Sequence, residues 1–362
     1  MSDAATNGQP LIEGRNLTVH FPAGATGIPL FNRQHNVLQA VDGVSIAIHR
    51  GETLGLVGES GSGKSTLGRA LILLRPPTSG EVLFRGEPVT AARGAELRTL
   101  RRSLQIVFQD PYGSLNPRAR IGDIVAEPLI VQKVGTKAER TARVRELLEM
   151  VGVSSRLVDR YPHQFSGGQR QRIAFARALA VNPEVIVCDE PISALDVSIQ
   201  AQVVNLLEDL QSELGLTYLF IAHDLRIVEH ISHRVAVMYL GKIVETAPAA
   251  EFYRRPAHPY TRALLRSRPT LNAVRSGDGR RATEALGGEP PSPLAPPPGC
   301  RFHTRCPFVQ AERCRDEVPE LRTLRQGHHV ACHWAEQILD GTIEPRQEES
   351  AAPQLQLTRN GG

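Results

Sequence analysis

Residues Gly58-Glu59-Ser60-Gly61-Ser62-Gly63-Lys64-Ser65-Thr66 stand between the apolar run Thr53-Leu54-Gly55-Leu56-Val57 and the helix-compatible Leu67-Gly68-Arg69-Ala70-Leu71-Ile72-Leu73-Leu74. That order reads as strand, glycine loop, helix. The G-x-x-x-x-G-K-S spacing suits a nucleotide phosphate, because glycines let successive backbone N–H groups turn inward and the loop opens onto a helix N-terminus with partial positive charge. Lys64 then reaches the β- and γ-phosphates and Ser65 ligates Mg2+. A glycine-rich turn that matches by chance is the alternative, and the rest of the chain bears on it.

The 362 residues, 41% hydrophobic and 22% charged, suffice for one large domain and a smaller appendage. A net charge of +4 supplies no global basic field that would by itself argue for nucleic acid, and none is expected as a partner. Met1 to Gly14 lacks the pattern of a secretory leader, and nowhere do about 18 apolar residues run uninterrupted. The sequence therefore predicts a cytoplasmic chain with no membrane span of its own. Four of the five cysteines fall between Cys300 and Cys332, and in a reducing compartment such clustering favours metal over disulfides.

Residues 1–10 read as a frayed terminus, and Leu11 to Phe21 carries the alternation of an edge strand. After an insertion over Pro22 to Asn36, Val37–Val41 and Val44–Ile48 predict two more strands of an antiparallel sheet beside the nucleotide. Phe21 is the first candidate to stack on adenine and Phe31 the second; core packing or a loop position explains either equally well. Leu104 to Gln109 predicts a strand ending at a glutamine. From Ile121 to about Ala180 the period becomes helical, with Val144, Leu147, Leu148 and Val151 on one buried face. Ser166-Gly167-Gly168-Gln169 then opens a helix, the arrangement that holds an anion, although a plain serine N-cap reads the same way.

The unbroken apolar run Val185-Ile186-Val187-Cys188 ends in Asp189 and Glu190. A buried parallel strand delivers acids to the C-terminal edge of a sheet in this manner. There Asp189 would hold the Mg2+ shell and Glu190 would polarise the attacking water; a solvated strand end is the alternative. Ser193 to Asp196 and an amphipathic helix follow. The strand Thr217–Ala222 brings His223 to the same edge.

Taken in order, the glycine loop, Gln109, Ser166–Gln169, Val185–Glu190, Ser193–Asp196 and His223 resemble the ATPase domain of ABC transporters over about residues 11–265. The resemblance implies an α/β P-loop NTPase of the ABC ATPase fold, with a RecA-like core, an antiparallel β subdomain and a helical subdomain. It also implies a head-to-tail dimer, in which the signature Ser166, Gly167, Gly168 and Gln169 of one subunit close on the γ-phosphate held by the other subunit's loop. Gln109 would be the residue that senses nucleotide, meets Mg2+ and touches the permease. Asp196 would lie across the interface and His223 on the γ-phosphate. Phe165 stands where the family usually has leucine, an apolar exchange expected to be neutral.

A narrower resemblance, to ATPase subunits of dipeptide and oligopeptide importers and nearest to the F-type subunit, rests on three stretches: Gln109–Pro117, His258-Pro259-Tyr260-Thr261-Arg262-Ala263-Leu264-Leu265, and Gly299–Pro307. It implies two integral-membrane permeases, an extracytoplasmic peptide-binding protein, and a second ABC ATPase that is either a D-type paralogue or another copy. The chain would then sit on the cytoplasmic face of the inner membrane. Nickel importers share this ATPase type. A soluble ABC ATPase acting on nucleic acid or the ribosome is the other class, disfavoured by single motifs and the short interval between Lys64 and Asp189.

Residues 266–299 read as a Pro/Gly-rich linker, 300–343 as a small C-terminal cysteine-containing extension and 344–362 as a disordered tail. Cys300, Cys306, Cys314 and Cys332 lack the paired knuckles of structural zinc. Four thiolates suit a [4Fe–4S] cluster, which members of the resembling family can carry; zinc and free thiols stay open. His303, His328, His329 and His333 read as surface residues.

Overall fold

The computed structural model describes residues 8–22, 37–267 and 289–346. Phe31, most of the 266–299 linker, most of the 1–10 terminus and most of the 344–362 tail lie outside the described residues. In chain order the elements are β1 (Ile12–Pro22), β2 (Val37–Ile48), β3 (Thr53–Val57), α1 (Lys64–Leu71), β4 (Ser79–Phe84), β5 (Glu87–Pro88), α2 (Gly94–Ser103) and β6 (Leu104–Val107). Then follow α3 (Pro111–Ser114), α4 (Ile121–Val131), α5 (Lys137–Met150), α6 (Gly167–Leu179), β7 (Val185–Asp189), α7 (Val197–Leu214), β8 (Thr217–Ile221) and α8 (Leu225–Ile231). The last elements are β9 (Arg234–Tyr239), β10 (Lys242–Pro248), α9 (Ala249–Arg254), α10 (Pro259–Arg266), α11 (Ala311–Asp316), β11 (Arg322–Arg325), β12 (His328–Val330) and α12 (Ala335–Leu339).

An eight-stranded sheet in the order β11-β12-β10-β9-β3-β8-β7-β6 carries the core. Strands β6, β7, β8, β3 and β9 are parallel, whereas β10, β12 and β11 continue antiparallel. Every residue of β3, β7 and β8 is buried. Covered on both faces, such strands need continuous apolar runs rather than alternation, as their sequences show. A second sheet, β2-β1-β4-β5, is antiparallel. The helical insert buries Ile121, Ile124, Val125 and Leu129 of α4 with Val144, Leu147 and Leu148 of α5. A Thr136–Glu139 capping box starts α5. No helix among the described residues is long and apolar enough to cross a membrane.

Four expectations are corrected. β1 is not an edge strand: β2 and β4 pair on either side of it, and its alternation reports one solvated face, not a free edge. Val37–Val41 and Val44–Ile48 form one strand, because Gly43, at φ +64°, lets the backbone pass through Asp42-Gly43 without ending the ladder. The C-terminal segment is no separate appendage. β12 pairs with β10 (Glu245 opposite Val330), and Phe302 is buried in the main core. His328 is not a surface residue: it is 1% exposed and its Nε2 lies 2.8 Å from buried Glu245, whose oxygens also accept the Ala257 and His258 N–H groups.

Candidate functional site

The glycine loop leaves the end of β3 and enters α1 through Gly63, whose φ of +105° and 2.0 Å approach of a hypothetical Cβ to the Ala40 carbonyl exclude any other residue. Lys64 is 5% exposed, and its Nζ donates to the Gly58 and Glu59 carbonyls at 2.8 and 2.9 Å. Burial lowers its pKa, against the charges of Glu190, Asp189 and Glu59. The Ser62 carbonyl accepts from Gly241 N–H at 2.9 Å, which ties the loop to the β9–β10 turn. Ser60, Gly61 and Thr66 complete the loop.

Parallel register brings β7 and β8 to the same edge, with Asp189 opposite Ile221. Ser65 Oγ donates to Asp189 Oδ1 at 2.6 Å, and Arg69 reaches Asp189 Oδ2 at 3.2 Å. A hydroxyl beside a carboxylate is the hard-oxygen donor set that Mg2+ takes. Glu190 follows at φ +48°, a left-handed conformation uncommon for this residue type, pinned by its N–H to the Ile221 carbonyl at 3.0 Å. Gln109 Nε2 donates to Glu190 Oε2 at 2.9 Å, and His223 Nδ1 lies 3.5 Å from the same oxygen. The edge therefore holds an oxygen pair suited to a cation and a carboxylate suited to orienting water. Gln109 meets Glu190, not Ser65 and Asp189.

Ser166 caps α6 in a reciprocal box with Gln169, at 3.3 and 3.0 Å. A Cβ on Gly168 would lie 2.4 Å from Ile199 Cγ2, so this glycine admits α7 against α6. Among the described residues no hydrogen bond joins Ser166–Gln169 to the glycine loop. Asp196, at the start of α7, is exposed beside Val197, which is 79% exposed. Phe21 is partly buried against the second core, and the Arg75 guanidinium lies 3.9 Å from its ring centroid, where a base would otherwise stack.

Cys300, Cys306, Cys314 and Cys332 all line one cavity of about 20 Å³, with His258, Phe302, Phe308 and Trp334. Burial pushes the Cys300 thiol up to about 11 and Cys332 to about 12, and raises Cys306 as well. No group of three or more ligating side chains among the described residues converges on a single ion position.

Residues that the sequence did not single out for the site also reach it. Arg69 is one helical turn past Ser65, a spacing that could have marked it. Tyr260 Oη accepts from Glu59 N–H at 2.8 Å, and Arg305 pairs with the Glu59 carboxylate at 2.9 and 3.1 Å. Nothing local in the sequence signals either contact.

The chain matches the ABC transporter family over residues 41–193 and the oligopeptide/dipeptide transporter C-terminal region over 244–314. It is 51% identical to the oligopeptide transport ATP-binding protein AppF of Bacillus subtilis over 91% of this chain and 98% of AppF. It is 49% identical to the di/tripeptide transport ATP-binding protein DppF of Pseudomonas aeruginosa over 91% of this chain and 99% of DppF. Among solved structures it resembles the dimeric ATP-binding cassette MJ0796 in a post-hydrolysis state with ADP and Pi, at TM-score 0.58 and 31% identity over 66% of this chain and 98% of that one.

Proposed function

Because the chain belongs to the ABC transporter family, in its oligopeptide and dipeptide branch, we propose that it hydrolyses ATP to ADP and phosphate to power import of dipeptides or oligopeptides. The observation that carries this reading is similarity along almost the whole length of two peptide-transport ATP-binding proteins. A shared cassette alone would leave the C-terminal region unmatched.

Residue roles follow from the site. Lys64 and the Gly58–Thr66 loop bind the β- and γ-phosphates, although the Glu59 N–H is taken by Tyr260 Oη. Ser65 and Asp189 would hold Mg2+, which would supply positive charge against the charge that develops on the transferred phosphoryl group. Glu190 orients and polarises the attacking water, and Gln109 and His223, both beside its carboxylate, set its direction and report the γ-phosphate. Ser166, Gly167, Gly168, Gln169 and Asp196 face a second ABC ATPase, a D-type paralogue or another copy, in a head-to-tail dimer. The exposed Val197 and the dimeric MJ0796 cassette support that arrangement. Two permeases and an extracytoplasmic peptide-binding protein complete the importer, with this subunit peripheral on the cytoplasmic face. The ATPase unit spans residues 11–265, and the cysteine-bearing segment 300–343 packs onto it through β12 and Phe302.

The four cysteines hold a [4Fe–4S] cluster in this reading. What supports this is that Cys300, Cys306, Cys314 and Cys332 all line one small, largely apolar cavity, the four-thiol supply that such a cluster takes.

Reconstitution tests the transport reading. In vesicles with its permeases, partner ATPase and binding protein, ATP hydrolysis should rise when short peptides are supplied. A rate that responds to another solute and ignores peptides would overturn it.

A further inference from the structure

A carboxylate is an unfavourable neighbour for a polyphosphate, and Glu59 lies inside the phosphate loop. Its charge is answered from far along the chain. Arg305 Nη1 and Nη2 donate to Glu59 Oε2 and Oε1 at 2.9 and 3.1 Å, in a bidentate pair. The Arg305 side chain is 5% exposed and that of Glu59 22%. Burial works against the Arg305 charge, yet the hydrogen bonds to Glu59 and Tyr239 hold its pKa above the ordinary arginine value. Glu59 is also held through its backbone: its N–H donates to Tyr260 Oη and its carbonyl accepts from Lys64 Nζ.

Arg305 is fixed in turn by its surroundings. It closes the 3-10 turn His303–Arg305, between Cys300 and Cys306. Phe302 anchors that turn among Tyr239 and Tyr260, at ring centroid distances of 5.3 and 5.4 Å. Arg301 pairs with Asp42 and donates to Gln39, both on β2, and to the Leu240 carbonyl in the β9–β10 turn.

We propose that Arg305 is a positioning residue of the nucleotide site: from the C-terminal segment it neutralises and fixes Glu59, so that the phosphate loop receives a triphosphate without a bare carboxylate beside it. Arg305 touches no reacting atom, so its effect falls on binding rather than on the chemical step. The C-terminal segment thereby becomes part of the nucleotide site whatever its cysteines hold. The proposal rests on the loop being the ATP site, which binding of Mg-ATP to the wild-type chain checks separately.

The test uses the full chain, with fluorescent ATP-analogue titration, steady-state hydrolysis and thermal melting. Arg305→Ala should raise Kd and KM about tenfold and leave kcat within about threefold. Arg305→Lys should fall between, since the charge remains and the fork is lost. Adding Glu59→Gln to Arg305→Ala should return Kd to within about threefold of wild type, because the charge requiring an answer is gone. A double variant as weak as Arg305→Ala would overturn the proposal, as would Arg305→Ala that melts early but binds nucleotide normally. Should Arg305→Ala not fold, Arg305→Lys decides: a raised Kd with an unshifted melting temperature supports the proposal, and a Kd equal to wild type overturns it.

Discussion

Ser65 and Asp189, 124 positions apart in the chain, meet in a 2.6 Å hydrogen bond across the edge of the parallel sheet. The contact joins the first turn of α1 to the end of β7 and sets two oxygen donors side by side. Asp189→Asn is expected to lower kcat about 10²–10³-fold, as loss of one preorganised charge at a reacting phosphate does, and to shift activation to higher Mg2+. Hydrolysis followed against Mg2+ concentration measures both. An unchanged Mg2+ midpoint would detach Asp189 from the metal.

Glu190 sits behind Asp189, with Gln109 and His223 on one of its oxygens. Glu190→Gln should reduce kcat about 10²–10⁴-fold and preserve Mg-ATP binding, because the amide keeps the shape but cannot accept a proton. Single-turnover hydrolysis beside equilibrium binding separates these effects. Near-normal turnover would assign the water to another group.

Phe302 is 1% exposed and lies in the same core as β3, β8 and β9. Phe302→Ala should destabilise the fold by about 3–5 kcal/mol. Because the segment shares the main core, calorimetry should show the ATPase transition itself moving down. A separate, early transition with the main one unshifted would mean that the segment folds independently.

His258 caps α10 through its Nδ1, which accepts Tyr260 N–H at 3.1 Å. Burial holds its pKa down to about 4, against an opposing effect of Glu245. The unfolded chain therefore takes up a proton below about pH 6.5 that the folded chain refuses until about pH 4, so stability falls with acidification inside that window. The loss attributable to this residue is about 2 kcal/mol between about pH 7 and pH 5. His258→Asn keeps a good N-cap and should flatten that part of a urea-denaturation series. An equal slope in wild type and variant would contradict the assignment.

The cysteine cavity gives a colour test. Anaerobically purified protein should be brown, absorb near about 400 nm and carry about four irons. Chelation should bleach it, and Cys306→Ser should abolish the iron. A colourless protein with stoichiometric zinc would remove the cluster.

Local pattern made much of this legible. The spacing of Gly58–Thr66 suited a phosphate loop, and the unbroken apolar run before Asp189 and Glu190 pointed to an interior strand ending in acids. The helical face of Val144, Leu147 and Leu148 followed from period alone. Alternation was less informative: in β1 it described which side is wet, not which strands lie alongside, so a central strand read as an edge. Charged and aromatic residues resisted most. Arg305 has no periodicity to betray it, and the Arg75 contact with Phe21 depends on two segments that no spacing rule links.

Short runs of residues carry the chemistry on offer: a phosphate loop, two carboxylates, a histidine, a signature helix start and a set of thiols. The backbone requirements of these runs are local. Tertiary structure decided which of them meet. Parallel register placed Ser65 on Asp189, and Gln109 and His223 on Glu190, while the pairing of β12 with β10 drew the C-terminal segment into the sheet and set Arg305 on Glu59. Such contacts are fixed by sheet order and core packing, properties of the whole chain that no stretch of residues carries alone.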